Sequence, residues 1–176
     1  MSEQVIPIEE SYWVIPGKFR AGRYPASYEE IESRKQLRWL FTIGINIIID
    51  LTEEGESGAI PYLDQLNDEA KKNHLDVAYH RMPIHDFSVP SNKIIIDILN
   101  EIDASIENGK HIYLHCQGGK GRTGILVGCF LARHGSTGDQ AINKIKLLRR
   151  KIPGGQEPSP ETETQKRKVL EWKQGQ

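Results

Sequence analysis

The stretch from Lys110 to Gly135 constrains the fold of this chain most, because it joins a short buried strand to a helix through a glycine-rich corner. Lys110-His111-Ile112-Tyr113-Leu114 reads as the strand, and Ile125 to Arg133 reads as an apolar helix stopped by Gly135. Between them lies His115-Cys116-Gln117-Gly118-Gly119-Lys120-Gly121-Arg122-Thr123-Gly124. Glycines here let successive N–H groups turn inward, and the helix N-terminus adds unpaired donors and partial positive charge. Residues Gln117, Gly118, Gly119, Lys120 and Gly121 therefore form a cradle for a tetrahedral dianion, phosphate above all. Arg122 can grip two of its oxygens with a planar fork that lysine lacks. The same donors favour a thiolate on Cys116, which makes it a nucleophile at neutral pH.

Cys116-x5-Arg122-Thr123, preceded by His115, resembles the signature loop of the protein tyrosine and dual-specificity phosphatases. The resemblance implies that Cys116 attacks phosphorus to give a phosphocysteine, that Arg122 binds the phosphoryl group, and that the hydroxyl of Thr123 helps water release it. It also implies that His115 orders the loop and supports the thiolate through hydrogen bonds. Such chemistry needs an acid for the leaving oxygen, delivered from a separate loop. Arg81-Met82-Pro83-Ile84-His85-Asp86-Phe87-Ser88-Val89-Pro90 follows the strand-like run Val77-Ala78-Tyr79, and its two prolines favour a loop. Asp86 matches the family's general acid. Near the end, Ser159-Pro160-Glu161-Thr162-Glu163-Thr164-Gln165 reads as a serine-capped helix start and resembles the family's closing segment. By that resemblance Gln165 orients the hydrolytic water. The label dual-specificity, rather than strictly tyrosine-specific, follows from the short chain.

Other chemistries fit less well. Gly119-x-Gly121-x-x-Gly124 formally matches a dinucleotide fingerprint, but a second helix, Thr137 to Lys151, follows where that fold needs a strand ending in an acid. No Gly-Lys-Ser or Gly-Lys-Thr is present for a nucleotide-triphosphate loop. Sulfurtransferases typically have a loop one residue shorter. The six histidines form no helical ligand pair with a nearby carboxylate, so neither a catalytic metal nor a cofactor is expected. Cys129 lies on the apolar helix and is expected to pack in the core. Lys120 leaves the substrate open, because lysine at this position accompanies phosphoinositide phosphatases, which carry a second lysine where this chain has Gln117. The partner expected is therefore a phosphorylated protein, with an inositol phosphate as the alternative and a non-catalytic phosphate-binding module as a third reading.

The 176 residues suit one phosphatase domain over 1–176, with 38% hydrophobic and 27% charged residues. A formal charge of −1 gives no bias towards nucleic acid or membrane. Two cysteines, no apolar run long enough to span a bilayer, and a polar start at Met1-Ser2-Glu3-Gln4 point to a cytoplasmic protein without stable membrane insertion. Charge is uneven: Asp50 to Glu69 is acid-rich, whereas Lys144, Lys146, Arg149, Arg150 and Lys151 crowd one stretch, either a solvated helix face or a docking surface for an anionic partner.

The order of elements predicts an α/β fold, a mostly parallel central sheet of about four to five strands flanked by helices on both faces, dual-specificity-phosphatase-like. Tyr12 to Ile15 and Phe19 to Ala21 form an edge hairpin through Pro16-Gly17. A helix follows from about Ser27, with Ser27-x-x-Glu30 as capping box. Asn46 to Leu51 is a buried strand, and Pro61 to Asn73 and Ser91 to Asn108 are helices, the latter ended by Gly109. Ligands in such sheets bind beyond the carboxyl ends of the strands, where Cys116 lies.

Overall fold

The computed structural model describes residues 6–176; the polar start at Met1 to Gln4 lies outside them. Strands β1 (Ser11–Ile15), β2 (Phe19–Gly22), β3 (Ile47–Asp50), β4 (Ala78–Arg81) and β5 (Ile112–His115) form one sheet in the order β1-β2-β5-β3-β4. Only the β1–β2 hairpin is antiparallel; β2, β5, β3 and β4 run parallel. Helices α1 (Glu30–Thr42), α2 (Leu63–Lys72), α3 (Asn92–Glu107), α4 (Arg122–Arg133), α5 (Gly138–Arg149) and α6 (Glu163–Glu171) complete the fold. It is the mixed, mostly parallel architecture expected from the alternating pattern. No helix among the described residues is long and apolar enough to cross a membrane.

The period-2 geometry of the strands divides the core in two. Ile47, Ile49, Ile112 and Leu114 face the helices α3 to α6, joining Ile98, Leu126 and Ile145. Ile48 and Tyr113 face the other way, against Leu37 and Leu40 of α1 and Leu66 of α2. Being covered on both faces explains why β3 and β5 read as unbroken apolar runs. Ser91 caps α3 by accepting from Ile94 N, and Thr137 caps α5 in a capping box with Gln140.

Two expected caps are replaced by other contacts. Helix α1 starts at Glu30 with Glu29 as its uncapped first residue, because the Ser27 hydroxyl bonds only as far as Glu29 N, and Ser33 Oγ binds the backbone of Ser27. Similarly, α6 is capped by Thr162, with Gln165 completing the capping box, and not by Ser159. Ser159 instead donates its hydroxyl to the carbonyl of Lys120, so it holds the glycine-rich loop. Helix α4 begins at Arg122, three residues before its apolar run, since its first turn faces the loop and carries polar residues that are nonetheless buried.

Candidate active site

Central strand β5 ends at His115, and the chain then turns sharply through Cys116–Gly121 into α4. Gly119 makes this turn possible. Its φ is +70°, and a Cβ there would lie 2.5 Å from the carbonyl carbon of Gly22, so only glycine fits against β2. Gly119→Ala is expected to cost about 1–3 kcal/mol in stability, from left-handed strain plus the clash, and to distort the cradle. Urea unfolding checks this against the wild type.

Cys116 is almost fully buried, and its Sγ accepts a hydrogen bond from Gly119 N at 3.3 Å. A loop N–H is therefore aimed at the sulfur. Cys129 lies further along α4, in the core, where burial pushes its thiol up to about 12. His115 is fully buried below the cysteine. Its Nδ1 donates to the Cys116 carbonyl at 3.2 Å, which leaves Nε2 to accept from the Tyr62 hydroxyl at 2.7 Å. Burial lowers the His115 pKa, and the Asp50 carboxylate 3.9 Å from Nε2 only partly offsets this, so the imidazole is neutral. Asp50 is itself fully buried and accepts from Thr52 N, Thr52 Oγ1 and Tyr79 Oη.

Arg122 is 1% exposed and connects the site. Its Nη1 donates to Glu56 Oε2 at 2.6 Å and to the Ile84 carbonyl at 3.0 Å, and Nη2 donates to Glu56 Oε1 at 2.7 Å. Nη2 also lies 3.0 Å from Asp86 Oδ1. The Nε–H is buried with no partner, as is the Thr123 hydroxyl on the same helical turn. The arginine is thus fixed by a bidentate carboxylate on one edge and retains unused donor capacity. Thirty residues separate Asp86 from Cys116 in sequence, yet the Asp86 loop reaches the signature arginine directly. Asp86 remains half-exposed, and Phe87 N donates to its Oδ1.

Gln165 joins the two loops. Its Oε1 accepts from Glu161 N and Thr162 N, its Nε2 donates to the Ser88 carbonyl in the Asp86 loop, and it lies against Gly121, where a Cβ would come within 3.1 Å of Nε2. Lys120, by contrast, turns outward and pairs with Glu157.

Sequence reasoning missed Glu56. It sits in the acid-rich stretch after β3, 66 residues from Arg122, and nothing local separates it from Glu53 or Glu54. Burial works to raise its pKa, and the Arg122 bonds outweigh that and hold it below the usual carboxylate range. A depressed carboxyl contributes stability that is present above its unfolded pKa and lost as pH falls through the folded one. Glu56→Gln is therefore expected to cost about 1–3 kcal/mol at neutral pH, because the buried guanidinium loses its main counter-charge. Urea unfolding at several pH values checks this; the difference from wild type should shrink towards acid pH.

A mostly parallel sheet whose central strand delivers a cysteine into a glycine-rich loop at a helix N-terminus, with an arginine and a carboxylate loop beside it, defines the fold and site of the cysteine-dependent phosphatases. The chain belongs to the DSP-PTPase phosphatase family of polymorphic toxin systems, whose family model matches residues 25–136. Among relatives, it is 30% identical over 129 residues to an Invertebrate iridescent virus 3 protein named as a tyrosine phosphatase, covering 71% of this chain and 47% of that one. It is also 30% identical over 155 residues to the Mus musculus protein tyrosine phosphatase domain-containing protein 1, covering 84% of this chain and 20% of the relative. The chain thus spans half or less of these relatives' length. Among solved structures, Tk-PTP in the active form superposes with a TM-score of 0.67 at 28% identity, over 92% of this chain and 93% of that one. Kinase associated phosphatase superposes at 0.74 over 96% and 95%, with 21% identity, a likeness of fold.

Proposed function

We propose that the chain is a dual-specificity protein phosphatase that works through a phosphocysteine intermediate. The observation that carries this reading is the Asp86–Arg122 contact, because it brings a carboxyl from the β4–α3 loop to the same guanidinium that borders the Cys116 cradle. In the first step Sγ of Cys116 attacks phosphorus, the P–O ester bond breaks, and protonated Asp86 gives its proton to the leaving oxygen. The loop N–H groups, the free Nε–H of Arg122 and the Nη2–H that Asp86 gives up hold the equatorial oxygens, where charge collects. In the second step water attacks phosphorus, its proton passes to Asp86, and the P–S bond breaks to restore the thiolate. The unpartnered Thr123 hydroxyl is free to donate to an anion in the cradle as sulfur departs. Gln165 keeps one N–H hydrogen for the attacking water and ties the acid loop to the signature loop.

Asp86 occupies a donor of Arg122 that an incoming phosphoryl group can use. The dianion would displace it and free the carboxyl to turn towards the leaving oxygen. Asp86→Ala is expected to slow hydrolysis of phosphoserine and phosphothreonine peptides by about 10²-fold or more. An activated aryl phosphate, whose leaving group needs little protonation, should slow much less. Equal losses on both would remove Asp86 from the acid role.

A phosphorylated protein is favoured over an inositol phosphate because the lysine that would read an extra phosphate is held by Glu157. Assaying phosphotyrosine, phosphoserine, phosphothreonine and inositol phosphate substrates with chelator present tests the function: turnover of the peptides supports it, and turnover of inositol phosphates alone overturns it. Stoichiometric phosphopeptide binding without turnover would favour a phosphate-binding module.

A further inference from the structure

Helix α5 and the two residues that follow it, Arg150 and Lys151, carry cations that the catalytic reading leaves unused. Arg149 drops out of the group first: it is buried, and it donates to the carbonyls of Glu157 and Gly154, so it fastens the α5–α6 connection. Lys144, Lys146, Arg150 and Lys151 are all exposed. None of the four forms an ion pair among the described residues, whereas most other cations of the helical surface do, including Arg34, Lys35, Lys72, Lys93, Arg133 and Lys166. At 3.6 residues per turn, Lys144, Lys146 and Arg150 fall within an arc of about 160°. Leu147 stands in the middle of that arc, 61% exposed, opposite the buried Ala141 and Ile145.

The C-terminal end of this face adjoins the signature loop. At the C-terminal end of α5, the connection through Pro153 and Gly154 walls a cleft of about 370 Å³. The opposite wall is the outside of the signature loop, Gln117 to Lys120. Arg150 and Lys151 directly precede Ile152 in the wall that Pro153 and Gly154 form, so a substrate chain running from the cradle past Lys120 along the cleft would reach the basic stretch at this end, beyond the carboxylates of Glu10 and Glu157 that also line it. Four uncompensated cations gathered on a protein of net charge −1 are a local excess, complementary to a run of carboxylates. A single exposed leucine among them is too small an apolar area to anchor in a bilayer, and it suits an apolar side chain within an acidic peptide.

We propose that the exposed face of α5 is a substrate-docking surface for an acidic segment of a phosphoprotein, flanking its phosphoresidue. The proposal rests on the phosphatase reading for its substrate and deepens it.

The test compares phosphopeptides of one core sequence flanked by glutamates or by glutamines. In the wild type the acidic peptide should be favoured by about tenfold in kcat/KM at low ionic strength, an advantage that salt erodes. In the variant K144E/K146E/R150E/K151E the advantage should vanish, while hydrolysis of p-nitrophenyl phosphate, which reaches only the cradle, stays unchanged. A wild type with no preference, or a preference that survives the charge reversal, overturns the proposal. So does loss of wild-type binding to phosphatidylserine vesicles on charge reversal if no peptide preference accompanies it, since that assigns the face to a membrane. Fluorescence anisotropy of the same peptides on Cys116→Ser, with and without the four reversals, reads docking without turnover. Failure of the wild type on p-nitrophenyl phosphate would thus strike the phosphatase reading and leave the docking result standing on its own.

Discussion

Cys116→Ser is expected to lose turnover of every phosphomonoester by on the order of 10⁴-fold or more, because the proposed nucleophile is exchanged for a hydroxyl that stays protonated at neutral pH. The substitution changes little else. Cys116 is buried and nearly isosteric with serine, and its one hydrogen bond, from Gly119 N, can be accepted by an oxygen equally well. The variant should therefore fold as the wild type does and still bind phosphopeptides. Stopped-assay kinetics read the loss, and mass spectrometry of acid-quenched wild type should find a phosphoryl group on the Cys116 peptide that the variant lacks. Retained activity in the purified variant would refute the mechanism outright.

Arg122→Lys is expected to reduce kcat/KM by about a thousandfold, although charge is conserved. The guanidinium does two things at once in different directions. One edge is spent on Glu56 and the Ile84 carbonyl, while Nε–H remains free. An ammonium can stay with Glu56 or turn to the phosphoryl group, but has no fixed fork with which to do both. The loss should fall on kcat more than on KM, since the charge on the equatorial oxygens is redistributed as the phosphoryl group transfers. Steady-state kinetics on a phosphopeptide and an aryl phosphate separate the two parameters. A change confined to KM would mean that Arg122 only binds substrate.

Much of the site could be read from the chain because its chemistry is local. Cys116, the glycines and Arg122 lie within one turn between a strand and a helix, where spacing alone decides which groups face the same point. Gly119 was readable as a glycine needed for the turn, but its packing against Gly22 depends on which strand neighbours β5. Helix α4 starts at Arg122, earlier than its apolar run, because its first turn directs polar side chains into a buried site where hydrophobic periodicity fails; α6 is capped by Thr162 because the hydroxyl that sequence offers as cap, Ser159, bonds the Lys120 carbonyl across the fold. Arg149 illustrates the reverse error. Its sequence neighbours are surface cations, and only the fold reveals that it is enclosed and bound to carbonyls.

The sequence by itself determined the layer architecture and the setting of Cys116. Apolar runs bounded by turn residues dictate buried parallel strands, and a cysteine held in a glycine-rich corner before a helix is a self-sufficient electrostatic statement. Tertiary structure decided which distant groups complete that corner. Strand order sets β3 beside β5, and from β3 the chain carries Glu56 to Arg122 and Asp50 to within 3.9 Å of His115. It likewise brings Asp86 from the loop after β4, and Gln165 and Ser159 from the far end of the chain. Carboxylates, amides and hydroxyls have no periodic signature, and their partners are chosen by proximity across the sheet's carboxyl edge, a quantity that exists only once the chain is folded.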